Sequence, residues 1–558
     1  MAPTSSADYL TQRSQLIAQD RSLRADNAIA KDLSEDERKA DEILRRIRTR
    51  EAQSVWSAEN STKHRHGSQQ LFPGMEFLTA RETIVETKLF DILSKMPKGG
   101  LLHAHLGAMV RADVLLELAL SQPAMHVRVP EVISKATIDS VLPQFRGLPQ
   151  SQWTTNESIT DPAYVPNSWV PMKNARDNFS AVLGGPEGFD RWITSAMTIN
   201  PAEAYGTHNS TIEIWKKFSS TFGVSEGLIF FEPVLREYIR AYFLSSIDDG
   251  ISYLETRMLF HAKTILDAKG EETMDHKGFL ELYDSVVEDV KAKMKEEGRE
   301  DEFVGSKVKL STHFKSFIQC SLRATQIIYT VLRILTPEDL EWYLEDCIEM
   351  KKKFPHLIAG FDFVGHEDTL RPLIDYAEPL LRFVARQKEL GISIPFMFHA
   401  GETLGDGTMA DMNLYDAILL GTKRIGHGFS LIKHPKLLEI CREREICVEV
   451  CPISNEILRL TGSMPMHPLP AIMNQGVRVA LCSDDPAIFG NMGLSFDFYQ
   501  VFVASEVNGL ATLRTLVWDS IKYSSLEGQQ EEEAFAKLER RWPVFIRYIL
   551  DTYGKFEA

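Results

Sequence analysis

Eight short apolar runs constrain the fold of this chain more than any other feature. They are Leu101–Leu106, Ile251–Met258, Lys307–His313, Leu357–Val364, Ile394–His399, Arg424–Phe429, Cys447–Ile453 and Val477–Cys482. None exceeds eight residues, and all are rich in Val, Ile, Leu or Phe. Near-continuous apolar character over so short a span is how a strand buried on both faces reads. Helical spacing fills the intervals between the runs. Buried strands alternating with helices predict a parallel sheet, and eight of them predict an α/β protein built as a (β/α)8 barrel of the TIM type.

The interval between the first two runs is too long for one crossover. Residues 123–208 are rich in Pro, Asn, Ser, Thr and Gly and are expected to form an insertion beside the barrel mouth, followed by helices over Thr211–Phe222 and Ser225–Ser246. Residues 1–79 are polar and charged, with helical spacing over Ala28–Arg50. They read as an N-terminal helical arm, either an exposed tail or a contact for a partner subunit. A helix fits Ala80–Ser94, closed by Pro97, Gly99 and Gly100, and opens a barrel domain over 80–558 that ends in closing helices over Gly509–Tyr553.

Composition removes several function classes. A hydrophobic share of 44% and a charged share of 25% are ordinary for a globular chain. A net charge of −16 argues against a nucleic-acid partner, which needs a basic face. No apolar stretch approaches the 18 residues of a spanning helix, so no membrane partner is expected. The N-terminus has no apolar signal core, and the 6 cysteines include no CxxC pair. Buried thiols in a reducing compartment, and hence a cytoplasmic location, are expected.

Four places could carry chemistry. In Leu101–His105 the residues His103 and His105 stand at i and i+2 of a strand and project to one face. Two imidazoles so placed suit zinc, or are satisfied core groups. The strand Phe396–His399 ends in a histidine, then Ala400-Gly401, then Glu402. His399 could be a third ligand, and Glu402 an acid or base at the barrel mouth or a cap on the next helix. His427 lies between Gly426 and Gly428, which permit close approach of a ligand or neighbour. Asp484 and Asp485 end the last run before Pro486; adjacent buried carboxylates need a cation, or they cap a helix. Together His103, His105, His399 and Asp484 would leave an open coordination position, the mark of a catalytic rather than a structural zinc.

These residues resemble the adenosine deaminase family. The resemblance rests on Met96–His105, on His399–Glu402 (HAGE), on Arg424–Gly428 (RIGHG), on Glu449–Asn455 and on Ser483–Pro486 (SDDP). Trp215–Phe222, Gly360–Asp368 and Gly493–Phe502 look like its growth-factor-related, adenosine deaminase 2-like branch. It covers the chain from about residue 80 to the C-terminus and implies the barrel of metal-dependent hydrolases, with zinc-dependent conversion of adenosine, and of 2′-deoxyadenosine, to inosine and ammonia. By position, His103, His105, His399 and Asp484 would hold one Zn²⁺ per chain. Glu402 would give a proton to the purine ring, and His427 would act as base toward the water. Asp485 and Gly365 would contact the purine, while Trp215, Phe222 and His313 would line the nucleoside pocket.

The sequence also departs from the family. An acid follows the first-strand histidines in the family; here Leu106 and Gly107 do, which keeps an adenine nucleotide such as AMP as the alternative substrate. Secreted members carry a signal peptide and a disulfide in the insertion, and neither is evident here; secretion stands as the alternative to a cytoplasmic location. Their N-terminal helices pair two subunits, so residues 1–80 are the expected homodimer contact. A non-catalytic nucleoside-binding or signalling protein on the same fold is the alternative of another class, and it would be expected to have lost metal ligands or the acid.

Overall fold

The computed structural model describes residues 5–57, 71–303 and 325–555. At its centre β1 (Gly99–His105), β2 (Ile251–Leu259), β3 (Thr325–Leu332) and β4 (Ile358–Val364) form one parallel sheet in that order. A second parallel sheet orders β5 (His399–Ala400), β6 (Arg424–His427), β7 (Cys447–Val450) and β8 (Val479–Leu481). Two parallel bridges close the ring: Phe361 pairs with Phe396 just before β5, and Ala104 pairs with Asp484 just past β8. At the second seam the His105 amide donates to the Asp484 carbonyl (3.1 Å) and the Asp484 amide to the His103 carbonyl (3.2 Å). The last strand is thus stitched to the first at the residues that matter most for the site.

The run expected at Lys307–His313 lies outside the described residues. The strand between β2 and β4 is instead Thr325–Leu332, which the apolar reading passed over. Its polar members interrupt the hydrophobic run but are satisfied in place. The Thr325 hydroxyl lies 2.8 Å from that of Tyr283, and the Gln326 side chain accepts from Tyr253 at 2.7 Å. The run at Ile394–His399 contributes only one bridge and the short β5, because Pro395 has no amide to give to a ladder.

Helices adjust in the same way. The helix expected over Ala80–Ser94 is two, Phe77–Val85 and Lys88–Ser94, with the Thr87 hydroxyl capping the second through the Phe90 amide. The first of the two expected helices after residue 208 runs on through Gly223 to Ile229, and the next starts at Glu232, where Pro233 occupies the first turn. The insertion carries a small antiparallel sheet, Met125–Arg128 between Gln144–Gly147 and Val170–Pro171, and a helix at Gly185–Ala196.

The N-terminal residues divide in behaviour. Helix Ser6–Arg21 buries none of its residues. Helix Glu35–Ser54 buries Ile43, Leu44 and Ile47 and packs on the closing helices Leu510–Lys522 and Gln529–Tyr553 of the same chain. Arg48 fixes it by donating to the carbonyls of Phe502 and Asn508. No described helix is long and apolar enough to cross a membrane.

Candidate active site

The C-terminal ends of the barrel strands meet in one cup. His103 and His105 come from β1, His399 from β5, His427 from the end of β6, and Asp484 from just past β8. His427 (φ +60°) and Asp484 (φ +61°) both adopt left-handed backbone, a conformation that costs a side-chain-bearing residue about 1–3 kcal/mol and persists only where surroundings impose it. Single ligand atoms of His103, His105, His399 and Asp484 all lie within 4.8 Å of one another. Asp484 Oδ1 is 3.2 Å from His103 Nε2 and 3.1 Å from His105 Nε2. Even so, His103 Nε2 and Asp484 Oδ1 are buried without a hydrogen bond of proper geometry. Three imidazoles and one carboxylate with orphaned donor atoms suit a borderline divalent cation such as zinc.

A buried ionic lattice holds these ligands from behind. His103 Nδ1 lies 2.8 Å from Glu449 Oε2, and His399 Nδ1 2.6 Å from Asp362 Oδ2. Each imidazole therefore gives its Nδ1 proton to a carboxylate and turns Nε2 toward the cup. Arg257 bridges both carboxylates, at 2.7 Å to Asp362 and 2.8 Å to Glu449. Arg424 joins Glu449 to Glu255. Burial would raise Glu449, but Arg257 and Arg424 outweigh it and hold this carboxyl well below its usual range.

Glu402, His427 and Asp485 surround the ligand set. Burial, then the charges of Asp484 and Glu367, push the Glu402 carboxyl well above its usual range, which favours its protonated form. Burial, then Asp484 and Glu402, does the same to Asp485. Burial pushes His427 down to about 3, which leaves a neutral imidazole. Its Nδ1 is 3.5 Å from Glu402 Oε1 and its Nε2 3.8 Å from Asp484 Oδ2. The turn carrying Glu402 is pinned by Glu367, which accepts from the amides of Gly401 (3.3 Å) and Glu402 (2.9 Å). Gly426 keeps this space tight: a Cβ there would sit 3.0 Å from His103 Cε1 and 3.2 Å from His399 Cα.

The remaining expected residues fall at the mouth. Gly365 (φ +114°) follows β4, and its neighbour His366 stacks on Trp215 with ring centroids 4.5 Å apart and planes at 9°. Phe222, from the same helix as Trp215, packs over Gly107, two residues past His105. His313 lies outside the described residues. Arg257, Arg333 and His467 were not anticipated; Asp362, Glu449 and Asn455 stood inside recognised segments without a role. A usable signal was there: Arg257, Asp362 and Glu449 are charges inside apolar strands, and a fully buried charge needs a partner.

Comparison with known proteins shows the family. The sequence model described as Adenosine deaminase matches residues 203–540. Adenosine deaminase 2-A of Danio rerio is 32% identical over 479 residues, 86% of this chain and 85% of that protein. Adenosine deaminase 2 of Homo sapiens is 32% identical over 478 residues, covering 85% of this chain and 83% of that protein. Among solved structures, an Arabidopsis N6-mAMP deaminase aligns with a TM-score of 0.51 at 15% identity, over 81% of this chain and 99% of that one, a likeness of fold alone.

Proposed function

We propose that this chain, which belongs to the adenosine deaminase family, deaminates adenosine and 2′-deoxyadenosine hydrolytically, yielding inosine or 2′-deoxyinosine and ammonia. One arrangement carries the reading: a carboxyl pushed well above its usual range (Glu402) and a neutral imidazole (His427) face four converging metal-ligand-type side chains inside one buried cup. His103, His105, His399 and Asp484 would hold one zinc ion per chain, and zinc bound there supplies the Lewis acidity that activates water near neutral pH.

The protein's own groups do the rest. Glu402 delivers its proton to the purine ring nitrogen beside the carbon under attack, which lets that ring accept electrons. Asp485, its carboxyl pushed well above its usual range by burial and by Asp484, hydrogen-bonds the purine, and the Gly365 backbone flanks the base. His427, beside Asp484, orients the attacking water by a hydrogen bond. Trp215, Phe222 and His313 line the nucleoside pocket. Ammonia leaves as the carbonyl of the product forms. A neutral nucleoside suits a chain of net charge −16.

We further read the chain as a cytoplasmic homodimer. The five described cysteines are buried free thiols, in keeping with a reducing compartment. Helix Ser6–Arg21, with no residue buried on its own chain, is free to meet a second copy. The test is incubation of the zinc-loaded protein with adenosine, 2′-deoxyadenosine and AMP while absorbance at the purine band is followed. Conversion of both nucleosides is expected. Preference for AMP would replace this reading with a nucleotide deaminase, and zinc binding without turnover of any of the three would replace it with a binding role.

A further inference from the structure

Two buried side chains behind His427, Asn455 and His467, form a directional chain that ends on it. The backbone amide of Leu469 donates to His467 Nδ1 at 3.0 Å. An amide nitrogen can only donate, so His467 Nδ1 carries the lone pair and the neutral ring bears its proton on Nε2. That ring is neutral, because burial pushes it down to about 3. His467 Nε2 lies 3.1 Å from Asn455 Oδ1 and donates to it. The other end of the Asn455 amide, a donor, then faces His427 Nδ1 at 3.1 Å. Each step fixes the next, and none depends on choosing an amide orientation in advance.

We propose that Asn455 and His467 are positioning residues that set the tautomer of His427. Its Nδ1 is kept as an acceptor, and its proton is kept on Nε2, the atom 3.8 Å from Asp484 Oδ2. His427 therefore presents an N–H to the metal-ligand side of the cup, where it donates a hydrogen bond rather than taking a proton as the base first expected, and its Nδ1 lone pair is occupied by the Asn455 amide. The left-handed backbone at His427 aims the ring, and the Leu469–His467–Asn455 chain decides which nitrogen holds the hydrogen. The consequence for turnover rests on the deaminase reading above; the tautomer does not.

The test uses the full chain loaded with zinc and compares wild type with Asn455→Asp, which has the same shape but offers an acceptor where the amide donated. Ring ¹⁵N spectra of His427, zinc content, and kcat and KM for adenosine are measured. Wild type is expected to show Nε2–H and the variant Nδ1–H, with zinc content and KM unchanged and kcat lower by about 10²-fold or more, as for a misprotonated catalytic imidazole. His467→Gln, which can still donate to Asn455, is expected to keep the Nε2–H form and most turnover, whereas His467→Leu is expected to lose both. An Nδ1–H wild type, or an Asn455→Asp protein that keeps Nε2–H, overturns the proposal. A wild type with Nε2–H but no action on adenosine sinks the deaminase reading and leaves this one standing.

Discussion

At Glu402 two effects compete. Burial and the charges of Asp484 and Glu367 push the proton on, while Arg333 nearby pulls it off, and the first group wins. An acid that holds its proton at neutral pH is what a proton donor to a purine requires. Glu402→Gln keeps the shape and removes the transferable proton, so kcat for adenosine is expected to fall by about 10²–10⁴-fold with zinc content unchanged; full activity in the variant would show that another group donates. The same residue shows how legible the site was. A histidine, two small residues and an acid at a strand end mark a mouth, but the sequence left Glu402 open between acid and helix cap. Only Asp484, Glu367 and Arg333, arriving from other strands, decide the matter.

Among the elements, β6 is the most exacting. It passes so close to His103 and His399 that a Cβ on its third residue, Gly426, would press on both. Gly426→Ala is expected to displace His103, costing about 1–3 kcal/mol in denaturant unfolding and weakening zinc retention against a chelator; an alanine variant that binds zinc normally would show that the strand can yield. The strand pattern was readable because parallel barrel strands are apolar on both faces. β3 escaped for the opposite reason, since Thr325 and Gln326 satisfy their polar groups on Tyr283 and Tyr253 from distant segments. Arg257 was readable as a charge in an apolar strand, yet its ion pairs to both carboxylates behind His103 and His399 needed β4 and β7 beside it.

Across the whole molecule, buried acids set the response to pH. Burial pushes Glu456 up to about 8, Glu51 to about 7 and Asp519 to about 6. Between its ordinary value, about 4.3 for the glutamates and about 3.9 for Asp519, and its folded value, each binds a proton in the folded chain that the unfolded chain has lost. Stability from these groups is therefore complete at acid pH and falls by about 1.4 kcal/mol per pH unit for each as pH rises through that window. Denaturant titrations from about pH 5 to about pH 8 should show the decline, and Glu456→Gln should flatten it; an unchanged slope would mean that Glu456 is ionised. Zinc adds a second term: at one hundred times its Kd it should stabilise the fold by about 2.7 kcal/mol, lost on chelation and insensitive to added zinc in His103→Ala. By itself the sequence determined the barrel class, the ligand types and the family resemblance, because hydrophobic period and residue chemistry are local properties. Only the tertiary structure decided which charges share a partner, which carboxyls burial pushes up and which neighbours surround His427, because those depend on burial and on segments hundreds of residues apart.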